Sequence, residues 1–185
     1  MKKTDSLQGF MYVFLGIVII LIGSIVFILI RINRIESMLG LAGQPAQVLG
    51  LEDGKLAPSF TVNTIDGKTF ASSDLFSQPT MLIFSSTTCP HCQYLYPYLK
   101  EFSDKNPTHN IFMFSLGTKE EINQMISDNG FRFVEAEWKE EISTQYIVPG
   151  TPFVYLIDKG GKILNSGVPA TFEDLQQLAK PRTSE

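Results

Sequence analysis

The sequence predicts an α/β domain built on a mixed sheet with helices on both faces, preceded by one apolar helix. Three observations predict it. Residues 10–30 are 21 consecutive amino acids without a charged side chain. From about residue 51, short apolar segments typical of buried strands alternate with segments typical of helices. Towards the C-terminus a hairpin pattern is followed by one more helix, and the antiparallel strands of a hairpin make such a sheet mixed.

The apolar segment 10–30 is predicted to be a transmembrane helix. At about 1.5 Å per residue, a helix of this length spans roughly the 30 Å of bilayer hydrocarbon. A cleaved signal peptide is the first alternative, but the segment exceeds the apolar region of such peptides and no Ala-x-Ala-like site follows it. A buried core helix is the second, and it would carry a polar face. We therefore expect residues 1–9 to be a short tail and residues 10–30 to contact the lipid bilayer.

Charge alone does not decide which side of the membrane the rest of the chain occupies. Lys2 and Lys3 precede the apolar segment, and Arg31 and Arg34 follow it. The number of positive charges is therefore nearly equal on its two sides, and the positive-inside rule gives little preference. A long C-terminal domain can cross the membrane largely regardless of charge. The predicted topology is a single-pass protein of the cell membrane with a cytoplasmic N-terminus and an extracytoplasmic C-terminal domain.

The chain beyond the anchor divides into a connecting segment and a domain. Residues 31–50 are predicted to be a juxtamembrane helix and a glycine-containing tether, and residues 51–185 to be the domain. Within the domain, SFTVNTIDGKTF alternates as strands do, and its Asp66-Gly67 pair predicts a hairpin. TMLIFSS, residues 80–86, has the uninterrupted apolar character of a buried central strand.

The remaining elements are predicted from capping residues at helix starts, glycine at a helix end and apolar runs in strands. In chain order they are a helix from Cys92 to about Lys105, a buried strand over 110–117, a helix from Thr118 to Gly130, a short strand over 131–134, a short helix over 138–146, a hairpin formed by 152–158 and 161–167, and a helix opening at Thr171 and Asp174.

Composition narrows the class of partner. A net charge of -4 and a pI near 5.2 give no basic field for nucleic acid, so we expect no nucleic-acid partner. Two cysteines cannot make a disulfide framework. The two cysteines therefore call for a different explanation.

Both cysteines lie in TTCPHCQY, residues 87–94, with Pro90 and His91 between Cys89 and Cys92. Cys89 is expected where a strand passes into a helix, and the free N–H groups and dipole of the helix N-terminus stabilise a thiolate there. Pro90 in the first turn costs no hydrogen bond, and His91 is expected to tune the redox potential. Cys92, one turn further in, suits a resolving thiol that attacks the mixed disulfide formed by Cys89.

Three other uses of the pair are weaker. A zinc site needs four ligands, and beyond the pair and its interposed histidine the chain offers only His109. Haem attachment of the c type requires histidine after the second cysteine, where this chain has Gln93. A purely structural disulfide would close a two-residue loop and stabilise little. No metal or cofactor is expected, and redox chemistry is.

MLIFSSTTCPHCQYLYPYL, residues 81–99, resembles thioredoxin-fold oxidoreductases, which have a strand, C-x-x-C and then a helix containing a proline, here Pro97. VPGTPF extends the likeness, since Thr151-Pro152 is similar to the cis-proline loop of that fold. The resemblance implies that Thr151 and Pro152 lie against the cysteine pair and shape a client groove. The sequence itself leaves open whether the bond before Pro152 is cis.

LAPSFTVNTIDGKTF is similar to the hairpin of membrane-tethered thioredoxin-like proteins of the TlpA and ResA group. The layout from the anchor onward is most similar to the methylamine dehydrogenase accessory proteins called MauD. The resemblance implies a bacterial thiol-disulfide oxidoreductase that forms, isomerises or reduces disulfides in exported, cysteine-containing client proteins. It also implies a membrane or extracytoplasmic redox partner and a role in the maturation of an amine dehydrogenase.

Two other functions stay open, as do the client and the direction of electron flow. The first is a peroxiredoxin-like peroxidase, because similar hairpins open those proteins and Thr87-Thr88-Cys89 loosely resembles their active-site segment. The second is a non-catalytic tethered binding or chaperone module in which the cysteines are incidental.

Overall fold

A computed structural model describes residues 15–27 and 50–182 of the 185-residue chain. The chain divides into two compact units, Met1–Gln47 and Val48–Glu185. In the first, residues 15–27 are helical (α1) and most of their side chains are exposed. None of the helices within 15–27 and 50–182 has both the length and the apolar character needed to cross a membrane. The predicted tail, the ends of the predicted anchor (10–14 and 28–30) and most of the tether (31–49) lie outside the described residues.

Residues 50–182 fold into a five-stranded mixed sheet, a separate two-stranded hairpin and five helices. The strands are β1 (Thr61–Asn63), β2 (Thr69–Ala71), β3 (Thr80–Ser86), β4 (Asn110–Leu116), β5 (Val134–Glu137), β6 (Phe153–Ile157) and β7 (Ile163–Gly167). The helices are α2 (Ser72–Leu75), α3 (Pro90–Lys105), α4 (Lys119–Asn129), α5 (Glu140–Gln145) and α6 (Phe172–Leu178).

The sheet has the order β5-β4-β3-β6-β7, with β3 at its centre. β3 runs parallel to β4 and antiparallel to β6, so the sheet is mixed as predicted. All seven residues of β3 are buried, which agrees with its uninterrupted apolar sequence. Phe84 pairs with Phe114 of β4 on one side and with Phe153 of β6 on the other.

Each face of the sheet has its own core because successive side chains of a strand point to opposite faces. One face is aromatic and packs against the hairpin, α2 and α5. The other packs against α3, α4 and α6. The side chains of α3 that reach this second core recur at helical spacing; they are Cys92, Leu95, Tyr96, Leu99 and Phe102.

Local sequence signals give the expected local structures. The hairpin turns at Asp66-Gly67, where Gly67 has a φ of 84° that favours glycine. Thr118 and Glu121 form the predicted capping box of α4, which ends at Gly130 in the left-handed conformation. Thr171 forms a second capping box at the start of α6.

Three predicted elements are shifted, and one was missed. The helix predicted from Cys92 already begins at Pro90, because Cys89 is its N-cap. The strand predicted over 131–134 begins only at Val134, because the rings of Phe131 and Phe133 lie 4.6 Å apart and pack into the core ahead of the ladder with β4. The helix predicted over 138–146 is the shorter α5, since the Trp138 N–H still donates to Ser115 as a continuation of β5. The single-turn helix α2 was not predicted.

The start of the domain is tied to β6. The Leu51 N–H donates a hydrogen bond of 2.8 Å to the Tyr155 hydroxyl, which in turn donates to the Tyr146 carbonyl. Gly50 has a φ of 88°, and a Cβ at this position would collide with the same hydroxyl. A glycine is therefore required where the chain enters the domain.

The aromatic core predicts a large stability cost for truncating Phe112. This residue is fully buried and its ring contacts those of Phe60, Phe70 and Phe114. We expect Phe112→Ala to lower the free energy of unfolding by about 3–5 kcal/mol, measured by guanidinium unfolding followed through Trp138 fluorescence. Leu56→Ala, at a side chain that is 74% exposed, is the control and should change it by less than about 0.5 kcal/mol.

Candidate active site

Cys89 lies at the junction of β3 and α3 and caps the helix. Its backbone is extended, with φ -83° and ψ 115°, and its sulfur accepts a 3.3 Å hydrogen bond from the Cys92 N–H. Pro90 occupies the first helical position, where a missing N–H costs nothing. The Cys89 sulfur is thus held at the positive end of a 16-residue helix.

The loop before β6 supplies the second contact to this sulfur. The Cys89 thiol donates to the Thr151 carbonyl at 3.4 Å. The peptide bond between Thr151 and Pro152 is cis, and Pro152 is buried. The structure thus brings together Cys89, Cys92, Thr151 and Pro152, which the sequence analysis had assigned to one site.

The two cysteines are free thiols in different environments. Cys89 is half-buried, whereas Cys92 is fully buried on the inner face of α3. Burial tends to raise the pKa of Cys89, but hydrogen bonds from Cys92 and from the His91 N–H outweigh it and lower the pKa. Burial, together with the hydrogen bond to Cys89, raises the pKa of Cys92. The outer thiol ionises readily, and the inner thiol keeps its proton.

Pro90 and His91 have exposed side chains. What His91 gives to the site is its backbone N–H, which favours the Cys89 thiolate. The hydroxyls of the two preceding threonines are engaged elsewhere, Thr87 with the Leu116 carbonyl at 3.2 Å and Thr88 with Ser86 at 3.2 Å.

Two buried polar groups behind Cys92 were not predicted as site residues. The Tyr96 hydroxyl lies 3.1 Å from the Ser85 hydroxyl and donates to the Ser86 carbonyl, and burial raises the pKa of Tyr96 to about 12. Glu135 of β5 is 4% exposed. A signal for Glu135 was present, because strand alternation places its side chain on the face opposite Val134 and Ala136.

Apolar side chains are exposed at the sheet edge that holds Cys89. Residues 50–182 contain six large apolar side chains with high exposure, and four of them lie in segments at this edge: Tyr94, Leu116, Ile147 and Val168. Leu116 ends β4, Val168 follows β7, and Ile147 lies in the loop that leads to Pro152. Ile147 also has a φ of 51°, a strained backbone conformation for a β-branched residue.

A cleft of ≈ 430 Å³ adjoins the N-terminus of α3. Its lining includes Thr87, Gln93, Glu121 and Gln124, and the Gln93 side chain donates to the Thr87 carbonyl at 2.9 Å. Among residues 15–27 and 50–182, no three or more histidine, cysteine or acidic side chains are grouped as metal ligands would be. The functional groups at this edge are the two thiols, with hydroxyl and amide groups in the adjoining cleft.

Comparison with known proteins gives one family and a set of named relatives. Residues 54–166 match the sequence model of the AhpC/TSA family. Methylamine utilization protein MauD from Methylophilus methylotrophus is 31% identical over 131 residues, which are 70% of this chain and 62% of that protein. Thiol-disulfide oxidoreductase ResA from Bacillus thuringiensis strain Al Hakam is 29% identical over 118 residues, covering 62% of this chain and 68% of ResA. The match therefore spans less than two thirds of the MauD relative's length.

Solved structures share the fold. The thioredoxin domain of a thiol-disulfide oxidoreductase from Bacteroides vulgatus superposes with a TM-score of 0.62 at 19% identity. The superposition covers 70% of this chain and 99% of that domain. The domain therefore has the thioredoxin fold that the sequence analysis predicted.

The environment of Cys89 predicts its reactivity towards alkylation. We expect its rate of modification by iodoacetamide to reach half-maximum below the ordinary pKa of a cysteine, because the hydrogen bonds described above stabilise the thiolate. Cys92→Ala removes the largest of these stabilising hydrogen bonds and should move the midpoint upward. An unshifted midpoint in the native protein would contradict the assigned geometry. Mass spectrometry against pH measures both curves.

Proposed function

Because this chain belongs to the AhpC/TSA family and holds one ionisable and one shielded thiol at a helix N-terminus, we propose that it is a protein thiol-disulfide oxidoreductase. The asymmetry of the pair is the observation that carries the proposal. A nucleophile needs a lowered pKa and access, and Cys89 has both. The name of the ResA relative, a thiol-disulfide oxidoreductase, agrees with this chemistry.

The proposed exchange runs through Cys89 in either direction. In reduction of a client, the Cys89 thiolate attacks one sulfur of the client disulfide, and the other sulfur leaves as a thiolate. Cys92 then attacks the Cys89 sulfur and the Cys89–Cys92 disulfide forms. The client sulfur that was bonded to Cys89 leaves as a thiolate with the electron pair of that bond, so the client has gained two electrons in all. In oxidation the same steps run backwards, and a client thiolate attacks Cys89 because Cys92 is fully buried.

We favour oxidation or isomerisation of clients as the direction. A thiolate that is stabilised in the dithiol form makes the corresponding disulfide a stronger oxidant. The lowered pKa of Cys89, set by hydrogen bonds that outweigh its burial, is the supporting feature.

The exposed apolar edge and Thr151 are proposed to hold the client. Tyr94, Ile147 and Val168 offer apolar surface at the sheet edge that carries Cys89, and exposed surface of this kind is typical of binding sites. A client cysteine lying over Cys89 would run beside the Thr151–Pro152 bond, as the sequence resemblance implies for these two residues.

Membrane tethering is also part of the proposal. The 21 uncharged residues 10–30 support it, as do the exposed apolar side chains of α1 within this segment. An extracytoplasmic domain would meet exported clients and a membrane or extracytoplasmic redox partner. By analogy with the methylamine utilization protein MauD, we propose an exported amine dehydrogenase subunit as one such client.

A peroxidase is the second candidate, and its specific support is weaker. The hydroxyls of Thr87 and Thr88 bond to Leu116 and Ser86, and neither threonine is among the groups that lower the pKa of Cys89. Rapid consumption of hydrogen peroxide by the purified protein, without transfer to protein disulfides, would favour this candidate.

Trapping on Cys89 tests the oxidoreductase proposal. We expect reduced Cys92→Ala protein, treated with glutathione disulfide, to keep one glutathione on Cys89, because the resolving thiol is gone. Wild-type protein should instead end as the intramolecular disulfide. Intact-mass measurement separates the two products.

Two controls accompany the trapping experiment. Cys89→Ala should form no adduct, since Cys92 is fully buried. Folding of each variant is checked by its unfolding transition. If folded Cys92→Ala protein stays free of glutathione, Cys89 is not an exchanging nucleophile and the tethered, non-catalytic module is favoured.

Fractionation tests the membrane proposal. We expect the full-length protein to stay with the membrane after alkaline carbonate washing and to become protease-accessible once the outer layers of the cell are removed. A variant lacking residues 1–30 should be recovered without detergent. Recovery of the full-length protein in the soluble fraction would contradict the anchor.

A further inference from the structure

Glu135 is a carboxyl group buried in the domain interior, on strand β5. Its side chain is 4% exposed, and neither of its oxygens has a hydrogen-bond partner among residues 15–27 and 50–182. Leaving a buried polar group unsatisfied costs about 1–3 kcal/mol, so native proteins rarely keep one without a reason. Glu137, two residues later on the same strand, is exposed to solvent, so its carboxylate does not bear this cost.

A short row of hydroxyls lies on the same sheet face as Glu135. Ser85 of β3 pairs directly with Ser115 of β4, and Ser115 lies diagonally across from Glu135, whose own partner is Met113. The Tyr96 hydroxyl of α3 lies 3.1 Å from the Ser85 hydroxyl. We call Ser85, Ser115 and Tyr96 the hydroxyl row. The Ser115 hydroxyl is buried too, and within the part of the chain that the structure describes it has no hydrogen-bond partner.

The neighbours of the row on β3, β4 and β6 are apolar on this face. The neighbouring side chains on β3, β4 and β6 that face the same core are Met81, Ile83, Ile111, Met113, Val154 and Leu156. At its other end the row meets the resolving thiol, because the Ser85 hydroxyl is among the groups that hydrogen-bond Cys92. Polar side chains on the same face of β3, β4 and β5 therefore extend from the buried thiol to the buried carboxyl.

We propose that Glu135 accepts the proton of Cys92 through the hydroxyl row during resolution of the mixed disulfide. The inference rests on the proposed oxidoreductase function and adds a residue to it. Glu135 does not contact the reacting sulfurs, so it acts through the row and not directly on a substrate.

The proton and electron balance of the step is complete. The Cys92 thiol passes its proton to the row, and the row delivers one proton to the Glu135 carboxylate. The Cys92 thiolate attacks Cys89, a sulfur–sulfur bond forms between them, and the bond from Cys89 to the client sulfur breaks. The client thiolate leaves with the electron pair and takes a proton from water. In the oxidation direction Glu135 returns its proton to Cys92.

Burial gives Glu135 an affinity for protons suited to this step. Burial raises its pKa to about 8, against a smaller lowering by the Ser115 hydroxyl. Burial raises the pKa of the Cys92 thiol as well, so this thiol keeps its proton unless a base takes it. Because the folded-state pKa is near 8, the carboxylate becomes available as pH rises through that value.

Within the described part of the chain, few other charges act on this carboxyl group. The titratable groups that face Glu135 or the ≈ 370 Å³ cleft beside it are Tyr96 of α3, Asp66 and Lys68 of the hairpin turn, and Arg132 ahead of β5. Asp66 and Lys68 pair with each other at 2.7 Å. The α4 residues in this cleft, Asn123 and Ile126, do not titrate.

Two-phase reaction with the aromatic disulfide DTNB tests the proposal on full-length, reduced protein in detergent. Attack by Cys89 releases the first coloured thiolate, and attack by Cys92 on the mixed disulfide releases the second. We expect the wild-type rate of the second phase to rise with pH and to inflect near pH 8. In Glu135→Gln we expect the inflection to vanish and the second phase to slow about 100-fold at pH 8, the low end for general base catalysis. The first phase should be unchanged.

Matched variants separate a proton-transfer role from a structural one. Ser115→Ala breaks the row and should slow the second phase, while its unpartnered hydroxyl makes the substitution mild for the fold. Glu135→Asp keeps a carboxyl group and should retain a pH inflection. Glu137→Gln changes an exposed acid on the same strand and should behave as wild type.

The outcomes distinguish the two proposals. A wild-type protein without a first phase would overturn the oxidoreductase function, and the role of Glu135 with it. A normal first phase, followed by a second phase whose rate and pH profile are the same in wild type and in folded Glu135→Gln, would overturn the role of Glu135 alone. Equal slowing by Glu135→Gln and Glu135→Asp, with no inflection in either, would also overturn it.

Discussion

Backbone hydrogen bonds between the antiparallel strands β3 and β6 hold Phe84 opposite Phe153, and this register assembles the site from two distant parts of the chain. Cys89 follows the end of β3, and the cis Thr151–Pro152 bond immediately precedes β6. Because the strands run in opposite directions, the end of one meets the beginning of the other. A slip of one residue would turn every side chain of β6 to the other face and carry the Thr151 carbonyl away from the Cys89 sulfur.

The same register sets the contrast between the two thiols. β3 delivers Cys89 to the sheet edge, where the free N–H groups of α3 and the loop before β6 surround it. One turn later, α3 turns Cys92 into the core that also receives Leu95 and Leu99. Two chemically identical groups three residues apart thus acquire opposite pKa shifts from where the helix begins and which face it buries.

Much of the fold was predictable because its signals are local. The Asp66-Gly67 turn, the apolar run of β3 and the capping box at Thr118 each depend on a few neighbouring residues, and the structure has all three. The position of the cysteine pair followed from the same local pattern. Glu135 was missed because its burial depends on β5 pairing with β4 and on cover from helices elsewhere in the chain. The start of β5 was misplaced for a similar reason, since ring packing at Phe131 is a tertiary effect.

The tie between Leu51 and Tyr155 has a mechanical consequence. Any tension on the chain ahead of Gly50 is resisted first by the hydrogen bond from the Leu51 N–H to the Tyr155 hydroxyl. Tyr155 lies in β6, three residues after Pro152, and its neighbours on both sides are paired strands. A force applied at Leu51 would therefore enter the sheet through Tyr155, whose side chain lies in the core on the face opposite α3 and Cys92.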